Sequence, residues 1–112
     1  MEEKDCLKSV ENFDKTGFNY TMSQITGRYK LTVLYAIYRH EVIRFNKLQR
    51  YLNILSHKTL SNTLKELENN NLIIKNDYRQ IPPKVEYSLS EKGKSFIPVL
   101  YAMCEWGEKF LK

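Results

Sequence analysis

The stretch from residue 56 to residue 70 carries side chains that can hydrogen-bond to the bases and phosphates of DNA. Lys58, Ser61, Asn62 and Lys65 follow the spacing i, i+3, i+4 and i+7, so a helix would present them on one face. A lysine reaches a phosphate or a guanine, an asparagine pairs with adenine through two hydrogen bonds, and a serine contacts either a base or a phosphate. The pattern therefore indicates a helix that reads a DNA groove.

A second face of this helix is apolar, because leucines recur at positions 60, 64 and 67. Ser56 is a suitable N-cap, and the first turn is the part of such a helix that enters the major groove. An ordinary amphipathic surface helix would show the same periodicity, so the helix alone does not decide the function. The residues that we expect to contact bases are Ser56, His57, Lys58, Thr59, Ser61 and Asn62.

A two-stranded hairpin is predicted directly after this helix, with strands at residues 72–76 and 84–89. In the second strand Val85, Tyr87 and Leu89 alternate with polar residues, as in a half-buried strand. Two prolines stiffen the tip, which also carries basic and amide groups. A wing of this kind, here residues 76–87, lies along the DNA backbone or in the minor groove. An exposed hairpin that merely carries surface charge is the alternative.

The excess positive charge is confined to the middle of the chain. Residues 28–84 contain six Lys and five Arg against four acidic residues, net +7, whereas the 112-residue chain as a whole has net charge +5. A basic region between flanks that are acidic or neutral is typical of a surface that binds a polyanion, and a merely solvated basic surface is the alternative. The expected contacts to the DNA backbone are Arg28, Lys30, Arg44, Lys47, Arg50, Lys65, Arg79, Gln80 and Lys84.

The remaining elements are helices. We expect them at residues 2–13, 20–26, 29–41, 46–52 (capped by Asn46) and 91–111, the last capped by Ser90 and kinked or restarted at Pro98. A break is expected at residues 14–19, an extended piece at 42–44, and a stop for the 56–69 helix at the asparagine run 69–71. The predicted fold is mainly α with a small β-hairpin, a winged helix-turn-helix with flanking N- and C-terminal dimerisation helices.

The final helix carries an apolar stripe that continues beyond what a core of this size needs. We expect a homodimer seam there, completed by the first helix; the alternative is that the final helix folds back on its own core. Gly107 would permit close approach of a second helix. The expected seam residues are Leu7, Val10, Phe13, Phe96, Val99, Leu100, Met103, Trp106, Gly107 and Phe110, with Leu111 continuing the stripe.

Several motifs resemble those of the HxlR-type bacterial regulators, in one order over about residues 20–110. They are Gly27-Arg28-Tyr29-Lys30-Leu31, with tyrosine where the family usually has tryptophan; Arg44-Phe45-Asn46-Lys47-Leu48; Ser56-His57-Lys58-Thr59-Leu60 followed by Leu64-Lys65-Glu66-Leu67-Glu68; Pro83-Lys84-Val85-Glu86-Tyr87-Ser88-Leu89-Ser90-Glu91-Lys92-Gly93; and Cys104-Glu105-Trp106-Gly107. The resemblance implies a dimeric winged-helix regulator that binds operators near promoters.

The two cysteines, Cys6 and Cys104, are too few for a disulfide framework and fit a reducing cytoplasm. Some HxlR-type proteins sense oxidants through an N-terminal cysteine, about where this chain has Thr16 or Gly17. Cys6 is a candidate redox sensor, although it departs from the family's pattern because it lies 21 residues before Gly27. Lys4 and Lys8 would favour its thiolate, whereas the neighbouring acidic residues oppose it. Cys104 is expected to be packed within the apolar helix.

The sequence favours no other class of protein. It has no metal-ligand, phosphate-loop or nucleotide-binding pattern, and His40 and His57 lie on separate helices, so we expect no enzyme, no metal and no cofactor. No apolar run is long enough to cross a membrane. We expect a single cytoplasmic domain, residues 1–112, with a core at about 20–90. Its partners would be double-stranded DNA, a second copy and an unknown small-molecule or redox effector; the alternative is a winged-helix module that binds protein.

Overall fold

The computed structural model describes residues 13–111, in which helices surround a small sheet. The helices are α1 (Gly17–Ile25), α2 (Lys30–His40), α3 (Phe45–Tyr51), α4 (His57–Asn69), α5 (Glu91–Ser95) and α6 (Ile97–Glu108). The strands are β1 (Val42–Arg44), β2 (Ile73–Asp77) and β3 (Val85–Leu89), and a 3-10 turn spans Phe13–Lys15. The predicted first helix, with Cys6, Leu7 and Val10, lies outside the described residues, as does the side chain of Phe13.

The strands form one antiparallel sheet in the order β1-β3-β2. The predicted hairpin is present, with Ile73 paired to Leu89 and Asp77 paired to Val85. The expected extended piece at 42–44 is β1, which pairs with β3 through Ile43 and Tyr87. The prediction of a two-stranded hairpin was therefore incomplete, because the isolated extended piece supplies a third strand.

The core lies between α2, α3, α4 and the inner face of this sheet. It contains the alternating side chains of the sheet and the apolar faces of the helices. Its fully buried members with the largest side chains are Val33, Leu34, Ile37, Ile43, Leu48, Leu60, Leu64 and Leu67. Helix α4 and strand β3 thus bury one face each, as the sequence periodicities predicted.

Two helix starts differ from the sequence prediction. The break at residues 14–19 was wrong, because α1 already begins at Gly17, and the Thr16 side chain caps it by accepting the Asn19 N–H at 3.1 Å. Arg44, not Asn46, occupies the N-cap position of α3. Both helices therefore begin earlier in the sequence than predicted.

The corner between β3 and α5 follows the prediction. The Ser90 side chain accepts the Gly93 N–H at 3.0 Å and donates to the Asn71 carbonyl at 2.6 Å. The Ser90 N–H also donates to the Leu72 carbonyl at 3.1 Å. Pro98 lies in the first turn of α6, so it restarts the helix instead of kinking it.

Candidate nucleic-acid interface

The start of α4 is fixed by a reciprocal cap. The Ser56 Oγ accepts the Thr59 N–H at 3.1 Å and donates to the Thr59 Oγ1 at 3.0 Å. The ring of His57 lies 4.8 Å from that of Phe45, which ties this first turn to α3. These contacts set the angle at which α4 leaves the preceding turn, so Ser56 and Thr59 position the helix.

The inward face of α4 packs against the core. Leu60, Thr63, Leu64 and Leu67 are all buried, and they lie within one sector of the helix. Helix α4 packs chiefly on α2 and β2. The leucine stripe predicted from the sequence is confirmed, with Thr63 as an additional member.

The outward face of α4 is polar and exposed. Lys58, Asn62 and Lys65 lie opposite the buried stripe, while Ser61 is half-buried at its edge. Asn69 continues the same exposed face by one turn. Asn69 was predicted only as part of the helix stop, although its position seven residues after Asn62 and four after Lys65 places it on this face.

The root of the wing is held by a small network. The Tyr78 N–H donates to the Lys84 carbonyl at 2.9 Å, beyond the last ladder pair. The Lys84 Nζ lies 3.6 Å from a Glu86 carboxylate oxygen and 4.8 Å from the centroid of the Tyr78 ring. The hydrogen bond with Glu86, together with the carboxylate charge, raises the pKa of the Tyr78 phenol. Lys84 is therefore partly engaged within the chain.

The tip of the wing, residues 79–83, projects into solvent. Arg79 and Gln80 are exposed. Arg79 has a φ of 49°, and its N–H donates to the Asp77 Oδ1 at 3.1 Å. An aspartate two residues before a left-handed residue stabilises a tight turn in this way. Arg79 is therefore held in a defined turn with its side chain exposed, so a phosphate could reach it.

Three of the expected backbone contacts come together beside β1. Arg44, Lys47 and Arg50 are exposed and line one shallow groove of about 400 Å³. The groove also contains Asn46 and Glu86. Because one carboxylate faces three cations, the groove is net positive and suits an anion such as a DNA phosphate.

Lys30 does not fit the predicted set of contacts to the DNA backbone. Its side chain is only 6% exposed, and its Nζ donates to the Asn70 Oδ1 at 2.7 Å. Gly27 makes room for it, because a Cβ at Gly27 would lie 2.7 Å from the Lys30 Cδ. Lys30 is thus buried and hydrogen-bonded to the end of α4. Arg28, in contrast, is exposed beside the Tyr29 ring.

Asn70 also accepts a hydrogen bond from a second lysine, Lys92, which was not among the predicted site residues. The Lys92 Nζ donates to the Asn70 carbonyl at 3.0 Å, to the Tyr20 hydroxyl at 2.8 Å and to the Gln24 Oε1 at 2.8 Å. Asn70 therefore connects the end of α4 to α2 through Lys30, and to α5 and α1 through Lys92. Only the three-dimensional arrangement reveals this connection, because its members are far apart in sequence.

Replacement of Lys30 by methionine should lower the stability of the fold. Lys30→Met keeps the stem but removes the donor to Asn70, and losing a hydrogen bond from a charged group costs about 1.5–3 kcal/mol. Urea unfolding would measure the change. Lys47→Met is the matched control, because Lys47 is exposed, and it should alter the free energy of unfolding by less than about 0.5 kcal/mol. Equal effects of the two variants would contradict a structural role for Lys30.

The C-terminal helix α6 divides into two parts. Near its start, Ile97 and Leu100 are buried in the core. From Tyr101 to Leu111 every residue is exposed except Gly107, which is half-buried. Val99, Met103, Trp106 and Phe110 are exposed with the spacing i, i+4, i+7 and i+11. The helix therefore leaves the core carrying an exposed apolar stripe.

Two expected seam residues and one cysteine lie elsewhere than predicted. Leu100 is only 7% exposed and Phe96 packs against the core, because both point inward from the start of α6. Leu100 thus belongs to the interior of this chain, whereas Phe96 is half-buried against the core. Cys104 is exposed in the described chain, so the expectation that it is packed was wrong within a single copy.

Comparison with known proteins decides the family. The sequence model of the HxlR-like helix-turn-helix family matches residues 24–112. This chain belongs to the HxlR family. An uncharacterised HTH-type transcriptional regulator of Halalkalibacterium halodurans is 44% identical to this HxlR-type chain over 109 residues, which is 97% of this chain and 96% of the relative.

Solved structures agree with this assignment. The redox regulator HypR in its oxidised form is 34% identical to this HxlR-type chain, with a TM-score of 0.76 and coverage of 85% of this chain and 97% of HypR. A protein of Porphyromonas gingivalis W83, described as a MarR-family regulator, is 28% identical, with a TM-score of 0.79 and coverage of 99% and 98%. The fold is a winged helix-turn-helix.

Family membership makes this chain a DNA-binding transcriptional regulator and not an enzyme. Between residues 13 and 111 no helix is long and apolar enough to cross a membrane. In the same part of the chain no group of three or more His, Cys, Asp or Glu side chains could hold a metal ion.

Proposed function

We propose that this HxlR-type chain is a homodimeric, sequence-specific regulator that binds a two-fold symmetric operator in double-stranded DNA. The observation that carries the proposal is the outward face of α4, where Lys58, Asn62, Lys65 and Asn69 are exposed opposite a fully buried leucine face. Donors and acceptors on such a face match the hydrogen-bonding edges of bases in the major groove.

The other basic elements would provide affinity and register. In this proposal α4 lies in the major groove, and the wing tip, with Arg79 and Gln80, contacts the backbone or the minor groove. The basic groove formed by Arg44, Lys47 and Arg50 receives a phosphate. Contacts of this kind do not select a sequence, because every site offers the same phosphates.

The dimer in this proposal is formed through α6. Its exposed stripe of Val99, Met103, Trp106 and Phe110 leaves the core as an arm and would be covered by a second copy. A two-fold axis through such a seam would place both α4 helices on one side of the dimer. The half-sites would then lie about one helical turn of DNA apart, or a multiple of it.

Regulation would act sterically, with the dimer blocking or redirecting polymerase at a promoter. An effector would change the spacing or tilt of the two α4 helices. The Tyr38 and Tyr101 hydroxyls, 3.0 Å apart, join α2 to the arm and support this coupling. They lie at a groove of about 760 Å³ between α2, the sheet and α6. A motion of α6 would therefore be transmitted to α2 and to the DNA-binding part of the protein.

Redox control is a specific form of this regulation that can be tested directly. HypR is a redox regulator, and this chain has two thiols, Cys6 and Cys104. Operator affinity should be measured before and after treatment with a thiol oxidant in the wild type, Cys6→Ser and Cys104→Ser. A change that only Cys6→Ser abolishes would support sensing by Cys6, and unchanged affinity in all three would exclude redox control.

A protein-binding winged-helix module is the competing function, and salt dependence separates the two. DNA binding releases counterions, so affinity falls steeply as salt rises. The three-cation groove beside β1 and the exposed lysines of α4 favour DNA.

Two substitutions should separate sequence reading from backbone contact. Asn62→Ala should weaken binding to the specific operator by about 1–3 kcal/mol and leave binding to random duplex unchanged, because it removes a base contact. Arg79→Ala should weaken both alike and reduce the salt slope by about one phosphate equivalent. Fluorescence anisotropy at several salt concentrations measures both effects.

The control for these variants is Glu105→Ala, on a face of α6 away from its apolar stripe, which should leave operator binding unchanged. If Arg79→Ala were selective and Asn62→Ala were uniform, the roles assigned to the helix and the wing would be reversed.

A further inference from the structure

The tip of the wing carries an apolar side chain that packs against no other residue between 13 and 111. Ile81 is 100% exposed, the highest value among the exposed large hydrophobic residues of the described chain. Its immediate neighbours Gln80 and Pro82 are exposed as well. An isoleucine in this position gains nothing for the fold, since all of its apolar surface stays in water.

The surroundings of Ile81 restrict where that surface could be buried. Tyr78 and Lys84 close the hairpin through a backbone hydrogen bond of 2.9 Å, so residues 79–83 lie beyond all strand pairing. Pro82 and Pro83 limit the conformations of the loop, and this lowers the ordering entropy lost on binding. The tip is thus a stiff projection with an apolar end.

The charges next to Ile81 indicate the surface that it meets. Arg79 stands two residues away, exposed, with its backbone fixed by Asp77. A cation beside an apolar end fits the minor groove, where phosphates line the rim and the sugars of the walls and the faces of an opened base step offer apolar surface. Apolar side chains inserted there partly unstack a base step and bend the duplex.

We propose that Ile81 is a wedge that enters the minor groove and opens a flexible base step at the edge of the operator. The proposal rests on the DNA-binding function above and adds a specificity determinant to it. Pyrimidine–purine steps such as TA and CA unstack most easily, so the wing would select them without a hydrogen bond to any base. Sequence preference would therefore extend beyond the bases that α4 contacts.

The test uses the full-length protein and its selected operator, with 2-aminopurine placed in turn at each step on the side where the wing lies. The wild type should raise the 2-aminopurine fluorescence at one step, because unstacking removes quenching. Ile81→Ala should abolish that rise and weaken operator binding about tenfold, the loss expected for an apolar side chain of this size. Replacing the flexible step by a stiff A-tract step should weaken the wild type but not Ile81→Ala.

Ile74→Ala is the matched control, because Ile74 is an exposed isoleucine on β2 of the same hairpin but away from the tip. It should keep the fluorescence rise and the affinity. If the wild type binds its operator without any fluorescence rise, or if Ile81→Ala keeps the rise, the wedge is wrong while DNA binding stands. If the wild type binds no DNA selectively, the proposed function and the wedge fail together.

Discussion

Gly93→Ala should destabilise the fold by about 3 kcal/mol, because the new methyl group would collide with backbone atoms. A Cβ at Gly93 would lie 2.1 Å from the Leu72 carbonyl oxygen and 3.2 Å from its carbon. That oxygen accepts the Ser90 N–H at 3.1 Å, so the carbonyl cannot move without breaking the corner between β3 and α5. Urea or thermal unfolding would measure the loss.

Gly17→Ala provides the control for this prediction. No atom lies within 4 Å of a Cβ at Gly17, which is the first residue of α1. Its effect on the free energy of unfolding should stay within about 0.5 kcal/mol, as for other surface positions. If Gly93→Ala were as mild as Gly17→Ala, the close approach of the 90–93 corner to Leu72 would be incorrect.

Trp106→Ala should weaken the proposed dimer at least about 30-fold. Trp106 is 68% exposed in the single chain and its ring lies 5.2 Å from that of Phe110, so it stands at the middle of the exposed stripe. Tryptophans at the centre of interfaces commonly contribute 2 kcal/mol or more when truncated. Sedimentation equilibrium over a range of concentrations would measure the dissociation constant.

A residue in the same turn of α6 provides the control for Trp106→Ala. Glu105 precedes Trp106 but points away from the apolar stripe, and Glu105→Ala should leave the dimer constant unchanged. Both variants should unfold at the same urea concentration when monomeric, because neither side chain is buried in the core. A monomeric wild type at micromolar concentration would remove the basis for a seam on α6.

The sequence predicted most elements because their periodicities and caps are local signals. The buried stripe of α4, the caps at Ser56 and Ser90 and the strand alternation at Tyr87 all depend on neighbours within a few residues. Fold class and the exposed face of the recognition helix follow from such signals. The N-terminal cap at Thr16 was the main local signal that was overlooked.

The errors about the candidate site concern contacts between residues far apart in sequence. Lys30 was assigned to DNA because it belongs to the basic middle of the chain, but Asn70, forty residues later, gives it a partly buried acceptor. Leu100 and Met103 belong to the same apolar stripe of the sequence. The core ends between them, so Leu100 is buried and Met103 is exposed. Periodicity shows that a face is apolar but not whether its own core or a second chain covers it.

The most direct test of the central claim is selection of binding sites from random duplex DNA by the purified protein. We expect enrichment of one two-fold symmetric site. For six phosphate contacts, its affinity should fall about a thousandfold between about 50 and 200 mM salt. Enrichment of a site without symmetry would contradict the dimer, and no enrichment with an affinity insensitive to salt would contradict DNA reading by α4.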